Sequence, residues 1–137
     1  MIALLPTLRR PGGRVILFSS IAAQRGGGGA YSAAKAALHG WVFDLAADLG
    51  PSGITANVIC PGYAGPTPII ELQIKDQSKA HGIPEENVIR DIILAHQPTK
   101  QFVKLEEIAA FAVFLCTDAA ASISGAALPI DGAWTAR

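Results

Sequence analysis

Val15-Ile16-Leu17-Phe18 is a continuous apolar run, and Ser19-Ser20 follows it directly. Hydrophobicity that continues rather than alternates marks a strand covered on both faces, as in a parallel sheet. The flanks support that reading. Arg9-Arg10-Pro11-Gly12-Gly13 breaks the chain before the run, and residues 2–9 ahead of the break read as the tail of a helix. Beyond the run, Ser19 to Ala30 reads as a loop containing four consecutive glycines, Gly26 to Gly29. A long helix comes next. Ala34, Leu38, Trp41, Val42, Leu45 and Leu49 recur at steps of three and four, and Gly50-Pro51 stops them.

A second strand is expected over Ile54 to Ile59, ended by Cys60-Pro61-Gly62. Residues 61–100 are more polar and punctuated by Pro66, Pro68, Pro84 and Pro98, with helices expected near 69–80 and 85–95. Residues 105–117 form an amphipathic helix with Ile108, Phe111, Ala112 and Leu115 on one face. Lys104 stands at its N-cap position, and a lysine has no acceptor with which to cap. Ala127 to Ile130 reads as a short strand before Asp131-Gly132. Pro129 lacks an amide donor, so that strand belongs at an edge or a bulge. The alternation of helices and strands implies α/β layers with right-handed crossovers.

Composition narrows the function classes. The chain has 137 residues, the size of one domain, and half of them are hydrophobic. Only 16% are charged, against roughly 25% in an average soluble domain. Intrinsic disorder is excluded, because it needs low hydrophobicity and high net charge. Lys plus Arg and Asp plus Glu are both 11, so no global positive field favours nucleic acid or an anionic membrane. No window approaches about 18 continuous apolar residues, and MIALLPTLRR has no signal-peptide pattern. Low charge also points to apolar surface covered by a partner. Cys60 and Cys116 have no metal-ligand spacing and read as two buried, reduced thiols of a cytoplasmic protein. His39, His81 and His96 are scattered, so no metal site is expected.

Tyr31 and Lys35 stand four apart at the start of the long helix, one turn apart on one face. A free tyrosine, with a pKa near about 10, is a poor base at neutral pH. A neighbouring ammonium favours the phenolate. Ser19 or Ser20 at the end of the preceding strand can donate to a substrate oxygen. These groups together form a proton-transfer site for oxidising an alcohol or reducing a carbonyl. For the Tyr-Lys pair alone, a helix-start tyrosine beside a solvated lysine is the plainer reading.

Context changes that weight. Val15 to Ser20, Tyr31-Ser32-Ala33-Ala34-Lys35-Ala36-Ala37-Leu38 and Ile54-Thr55-Ala56-Asn57-Val58-Ile59-Cys60-Pro61-Gly62 form an ordered series. Phe111 to Ala121, Ser124-Gly125 and Asp131-Gly132 continue it. The series resembles the catalytic half of the short-chain dehydrogenase/reductase family over nearly the whole chain. Glu71-Leu72-Gln73-Ile74, Gln97-Pro98-Thr99-Lys100-Gln101-Phe102-Val103 and the ending Gly132-Ala133-Trp134-Thr135-Ala136-Arg137 resemble the bacterial D-3-hydroxybutyrate dehydrogenases within it.

The resemblance implies the C-terminal half of a Rossmann-type doubly wound parallel sheet, with the N-terminal dinucleotide-binding half absent. Residues 1–137 would then be a single partial domain carrying a substrate-lid insertion at 61–100. The implied activity transfers hydride between NAD, with NADP not excluded, and a small hydroxy or keto acid resembling 3-hydroxybutyrate. By resemblance, Ser20 polarises the substrate oxygen and Tyr31 exchanges the proton. Lys35 lowers the tyrosine pKa and holds the nicotinamide ribose. Pro61-Gly62-Tyr63 walls the nicotinamide side, Thr67 contacts the carboxamide, and Gln73 lies over the substrate carboxylate. Ala22 and Gly28 stand where the hydroxybutyrate enzymes carry a histidine and a lysine for that carboxylate; Arg25 is a candidate substitute.

No glycine fingerprint opens the chain, and the Gly26–Gly29 run lacks the third glycine and the strand-end acid of a dinucleotide site. A shortened substrate loop is the expected role of that run. The implied assembly is a homo-oligomer, dimer or tetramer, with the long helix pairing subunits and Trp41 in core or interface. The alternative is a non-catalytic truncated fragment or subunit-interaction module that cannot bind cofactor alone.

Overall fold

The computed structural model describes residues 2–136. Three parallel strands form one sheet in chain order: β1 (Arg14–Phe18), β2 (Thr55–Pro61) and β3 (Ala127–Ile130). Arg14 pairs with Thr55 and Phe18 with Ile59, while Val58 pairs with Ala127 and Pro61 with Ile130. β2 lies between the other two and is buried along nearly its whole length. β3 takes an edge, where the missing amide of Pro129 costs no ladder bond.

Helix α1 (Ala22–Arg25) is a single turn set in the loop after β1. Helix α2 (Ala30–Leu49) crosses from β1 to β2. Its Val42, Leu45 and Leu49 pack on Val15 and Leu17 of β1 and on Ala56, Val58 and Cys60 of β2. Alternate residues of β2 thus face α2, and Ile59 faces the other way, against Leu115. Leu38 and Trp41 pack at the margin of the α2 core, whereas Ala34 is exposed. Helices α3 (Pro68–His81) and α4 (Glu85–Val88) follow, and a π-helical turn over Ile89–Ile93 extends α4. These elements close a core of their own from Ile70, Ile74, Val88, Ile93 and Leu94. Helix α5 (Leu105–Leu115) covers the second sheet face with Leu115 and Phe111.

Three expectations need correction. Residues 2–9 are not the end of an α-helix; Ile2–Thr7 is a 3-10 segment, and Pro6 cannot donate an i→i−4 bond there. β1 is fully covered on one face only: Val15 and Leu17 are buried, Ile16 is half-buried and Phe18 exposed, because α5 reaches only part of that side. Cys60 is buried and unpaired, but Cys116, just past α5, is exposed. At the N-terminus of α5, where the Lys104 side chain has no acceptor to offer, the turn is closed by Glu107. Its carboxylate, three residues on, accepts from the Lys104 backbone N–H at 2.9 Å.

Candidate active site

The site lies at the C-terminal ends of the strands, where open α/β sheets form their crevices. Ser20 leaves β1, Tyr31 and Lys35 start α2, and Pro61-Gly62-Tyr63 leaves β2. A cleft of about 600 Å³ brings several of them together. Ser20, Tyr31, Gly62, Tyr63 and Gln73 all line it, with Arg25 and Trp134 completing the wall. Lys35, Pro61 and Thr67 stand outside that lining.

Ser20 Oγ accepts from the Ala22 backbone N–H at 3.2 Å. A hydroxyl keeps its proton while accepting, so Ser20 still has one bond to donate. Tyr31 is about half exposed. Lys35 Nζ lies 5.8 Å from the centroid of the Tyr31 ring and donates to the Phe18 carbonyl at 3.0 Å. An ammonium carries three donors, so two remain for a ligand. Ser19 faces away from the cleft and ties α2 to β1: its hydroxyl donates to the Lys35 carbonyl at 2.9 Å. His39 Nε2 sits 3.1 Å from Ser19 Oγ and 3.4 Å from Cys60 Sγ. Burial lowers the His39 pKa below its usual value. Burial pushes the Cys60 thiol up to about 11; bonds to the Leu128 backbone and the Ser19 side chain oppose that, and Asp131 adds to it.

The turn after β2 is held from behind by a residue of the Gln97–Val103 stretch to which the sequence assigns no role. Gln97 is fully buried. Its Oε1 accepts from Tyr63 N at 3.3 Å, and its Nε2 donates to the Gln101 carbonyl. Gly62 fits only as glycine, since a Cβ there would stand 2.7 Å from Gln97 Oε1 and 2.9 Å from the Asp131 Cα. Thr67 caps α3 by accepting from Ile70 N at 3.3 Å. Gln73 Nε2 reaches the Tyr63 hydroxyl at 3.4 Å, which places both side chains on one wall.

Trp134, quoted in the sequence without a role, is a wall residue of the cleft. Its ring stacks on Tyr63 at 5.5 Å between centroids, and its carbonyl accepts from Arg25 Nη1 at 2.9 Å. Asp131 folds this segment back, accepting from Ala133 N at 3.0 Å and from both Thr135 N and Thr135 Oγ1. The signal was present in Asp131-Gly132, a turn pair after the last strand, but a turn does not say what it faces.

Comparison with known proteins then places the chain. The model of a family described as enoyl-(acyl carrier protein) reductase matches residues 1–135. The chain belongs to the short-chain dehydrogenase/reductase family. It is 45% identical over 108 residues to the D-beta-hydroxybutyrate dehydrogenase of Rhizobium meliloti, a match over 79% of this chain and 42% of that protein. Among solved structures, a short-chain dehydrogenase family protein of Francisella tularensis superposes with a TM-score of 0.90 at 25% identity, over 99% of this chain and 56% of that one. A putative 2-deoxy-d-gluconate 3-dehydrogenase of Agrobacterium tumefaciens with bound NADP gives 0.78 at 33% identity, over 98% and 50%. This short-chain dehydrogenase/reductase chain therefore spans about half the length of the relatives it matches. Its α/β architecture with a three-stranded parallel sheet is a partial Rossmann-type fold. Among the described residues, no cluster of His, Cys, Asp and Glu could hold a metal. No described helix is long and apolar enough to cross a membrane.

Proposed function

We propose that this chain carries the catalytic half of an oxidoreductase that interconverts a small hydroxy acid and its keto acid, 3-hydroxybutyrate-like, with NAD or NADP as partner. The observation that carries the reading is the shared cleft of Ser20 and Tyr31, with Lys35 one turn along from the tyrosine. Two relationships support the chemistry: the likeness to a hydroxybutyrate dehydrogenase, and a structural neighbour holding NADP.

The roles follow from the donor set. Ser20 gives its free proton to the substrate oxygen and fixes it in front of Tyr31. Tyr31 takes the alcohol proton in oxidation and returns it in reduction. The Lys35 ammonium, one turn along from Tyr31, offers its spare donors to the nicotinamide ribose. Pro61-Gly62-Tyr63 bounds the nicotinamide side, and Thr67 contacts the carboxamide while capping α3. Gln73 and Tyr63 lie over the substrate, and residues 61–100 act as its lid on their separate core. Bound nicotinamide dinucleotide supplies the hydride acceptor or donor. In this reading the working protein is a homo-oligomer, dimer or tetramer.

A second reading has an observation behind it as well. Among the described strands β1 is an edge, so these strands alone do not build both sides of a dinucleotide crevice. On that view the chain is a non-catalytic fragment or a subunit-interaction module. Calorimetric titration of NAD into the 137-residue chain separates the two, since tight binding overturns the second. For the first, the test is NAD-dependent turnover of 3-hydroxybutyrate by Tyr31→Phe. Loss of the acid–base group should lower the rate about 100-fold or more. Unchanged turnover overturns the reading.

A further inference from the structure

We infer that Arg25 is the anchor for the substrate carboxylate, so that this cleft selects small acids over neutral ketones and alcohols. The inference rests on the oxidoreductase reading for its substrate class and names the residue that sets it. Arg25 ends α1 and is the one charged residue among the groups lining the cleft. Every other liner is apolar, aromatic or neutral polar, and no carboxylate lines the cleft. Among the described residues its guanidinium makes a single side-chain hydrogen bond, from Nη1 to the Trp134 carbonyl at 2.9 Å. No acid among those residues stands within ion-pair distance of it.

That arrangement leaves a solvent-exposed positive charge with spare donors at the edge of the cleft, on the side where Gln24, Pro129 and Thr135 line a second, more polar hollow. A guanidinium has five N–H donors in a planar fork matched to a carboxylate. The Trp134 carbonyl uses one and tethers the group to the cleft wall, and the rest of the fork is available. The neighbouring surface is set for a small ligand. Tyr63 and Trp134 stack as one aromatic wall, and Gln73 reaches across to the Tyr63 hydroxyl. Ser20 and Tyr31 line the same cavity and take the carbinol or carbonyl end. A short molecule with an oxygen at one end and a carboxylate at the other meets both sets of groups.

The glycines after Arg25 keep its approach open. Gly26, Gly27 and Gly28 line the cleft without side chains, and a Cβ at Gly26 or Gly27 would meet nothing within 4 Å. Both have positive φ, 74° and 88°, where other residues are strained. The chain therefore turns sharply after Arg25 and leaves that side of the cleft to the arginine. A pyrophosphate is the other anion that a guanidinium fork fits. The carboxylate is favoured because Arg25 shares its cavity with Ser20, Tyr31, Tyr63 and Gln73, and Lys35 stands outside the lining.

The test needs neither cofactor nor turnover. Acetoacetate, the neutral analogue 4-hydroxybutan-2-one and inorganic phosphate are titrated separately into the 137-residue chain. The Trp134 indole N–H resonance is followed, assigned against Trp134→Phe. The expected result is acetoacetate binding at least tenfold tighter than the neutral ketone. Arg25→Gln should weaken acetoacetate about tenfold to a hundredfold, the range for one charged hydrogen bond, and leave the neutral ketone unchanged. Arg25→Lys should recover part of the loss. Three results overturn the inference: equal acetoacetate binding by wild type and Arg25→Gln, no preference for the acid, or phosphate binding as tightly at the same resonance. Because these readouts do not involve Tyr31, a failure here is distinct from a failure of Tyr31→Phe to lose turnover.

Discussion

At the level of single residues, two cysteines of one chain show how burial separates chemistry. Cys60 stands on β2 under α2, where desolvation raises its thiol from the usual 9.0 to about 11. Cys116 is exposed. A disulfide reagent near pH 8 should therefore modify one thiol rapidly in the native chain, Cys116, and Cys60 only on unfolding. Mass analysis of the labelled peptide checks the assignment, and rapid labelling of Cys60 counts against its burial. The pH sign follows from the same shift. The folded thiol holds its proton where the unfolded one has lost it. This contribution to stability is present below about pH 9 and lost as pH rises toward 11. Spacing alone paired Tyr31 with Lys35, and the strand end offered Ser19 or Ser20; Ser20 over Ser19, and Gln73, came only from the family resemblance. Arg25 could be named only as a candidate, and no role could be read for Trp134 or Gln97. Whether Trp134 stacks on Tyr63, or Gln97 is buried, depends on a chain return from α5 and β3 that no local pattern encodes.

Elements were more readable than their partners. The run Val15 to Phe18 marked β1 because it is apolar throughout, and Gly50-Pro51 ended α2 as caps do. What periodicity could not supply was cover. A continuous run says a strand can be buried on both sides, yet among the described residues the α5 face half-buries Ile16 and leaves Phe18 exposed. The π turn at Ile89–Ile93 was likewise unreadable, since it differs from α-helix by one residue per turn with the same apolar pattern. Two glycine substitutions test how the elements meet. Gly62→Ala forces a Cβ against Gln97 and the Asp131 backbone, and only the former can move. It should cost about 1–3 kcal/mol, as overpacked sites do. Gly40→Ala, inside α2 with open space around it, should stabilise by about 0.5–1 kcal/mol. Thermal or urea denaturation of both variants checks the contrast. A Gly62→Ala chain as stable as wild type would mean that Gln97 and the Asp131 backbone do not close on Gly62.

Taken whole, the molecule pairs a low charge content with large apolar groups left in solvent. Phe18, Phe43, Leu105, Val113 and Phe114 are all exposed although half of the chain is hydrophobic. Phe18 and the half-buried Ile16 lie on β1, whose outer edge is unpaired among the described strands. An unpaired, apolar strand edge is a template for another strand, and proteins ordinarily blunt such edges with lysine, proline or bulges. β1 has Arg14 at its start and no such device afterwards. The 137-residue chain should therefore self-associate as its concentration rises, with β1 as the seam. Phe18→Lys tests this without disturbing the site, because Lys35 bonds the backbone carbonyl of that residue and not its ring. Sedimentation velocity over a concentration series should show the variant shifted toward monomer at concentrations where the parent is associated. If both sediment alike, the seam lies elsewhere, and the exposed Val113 and Phe114 of α5 become the surface to alter next.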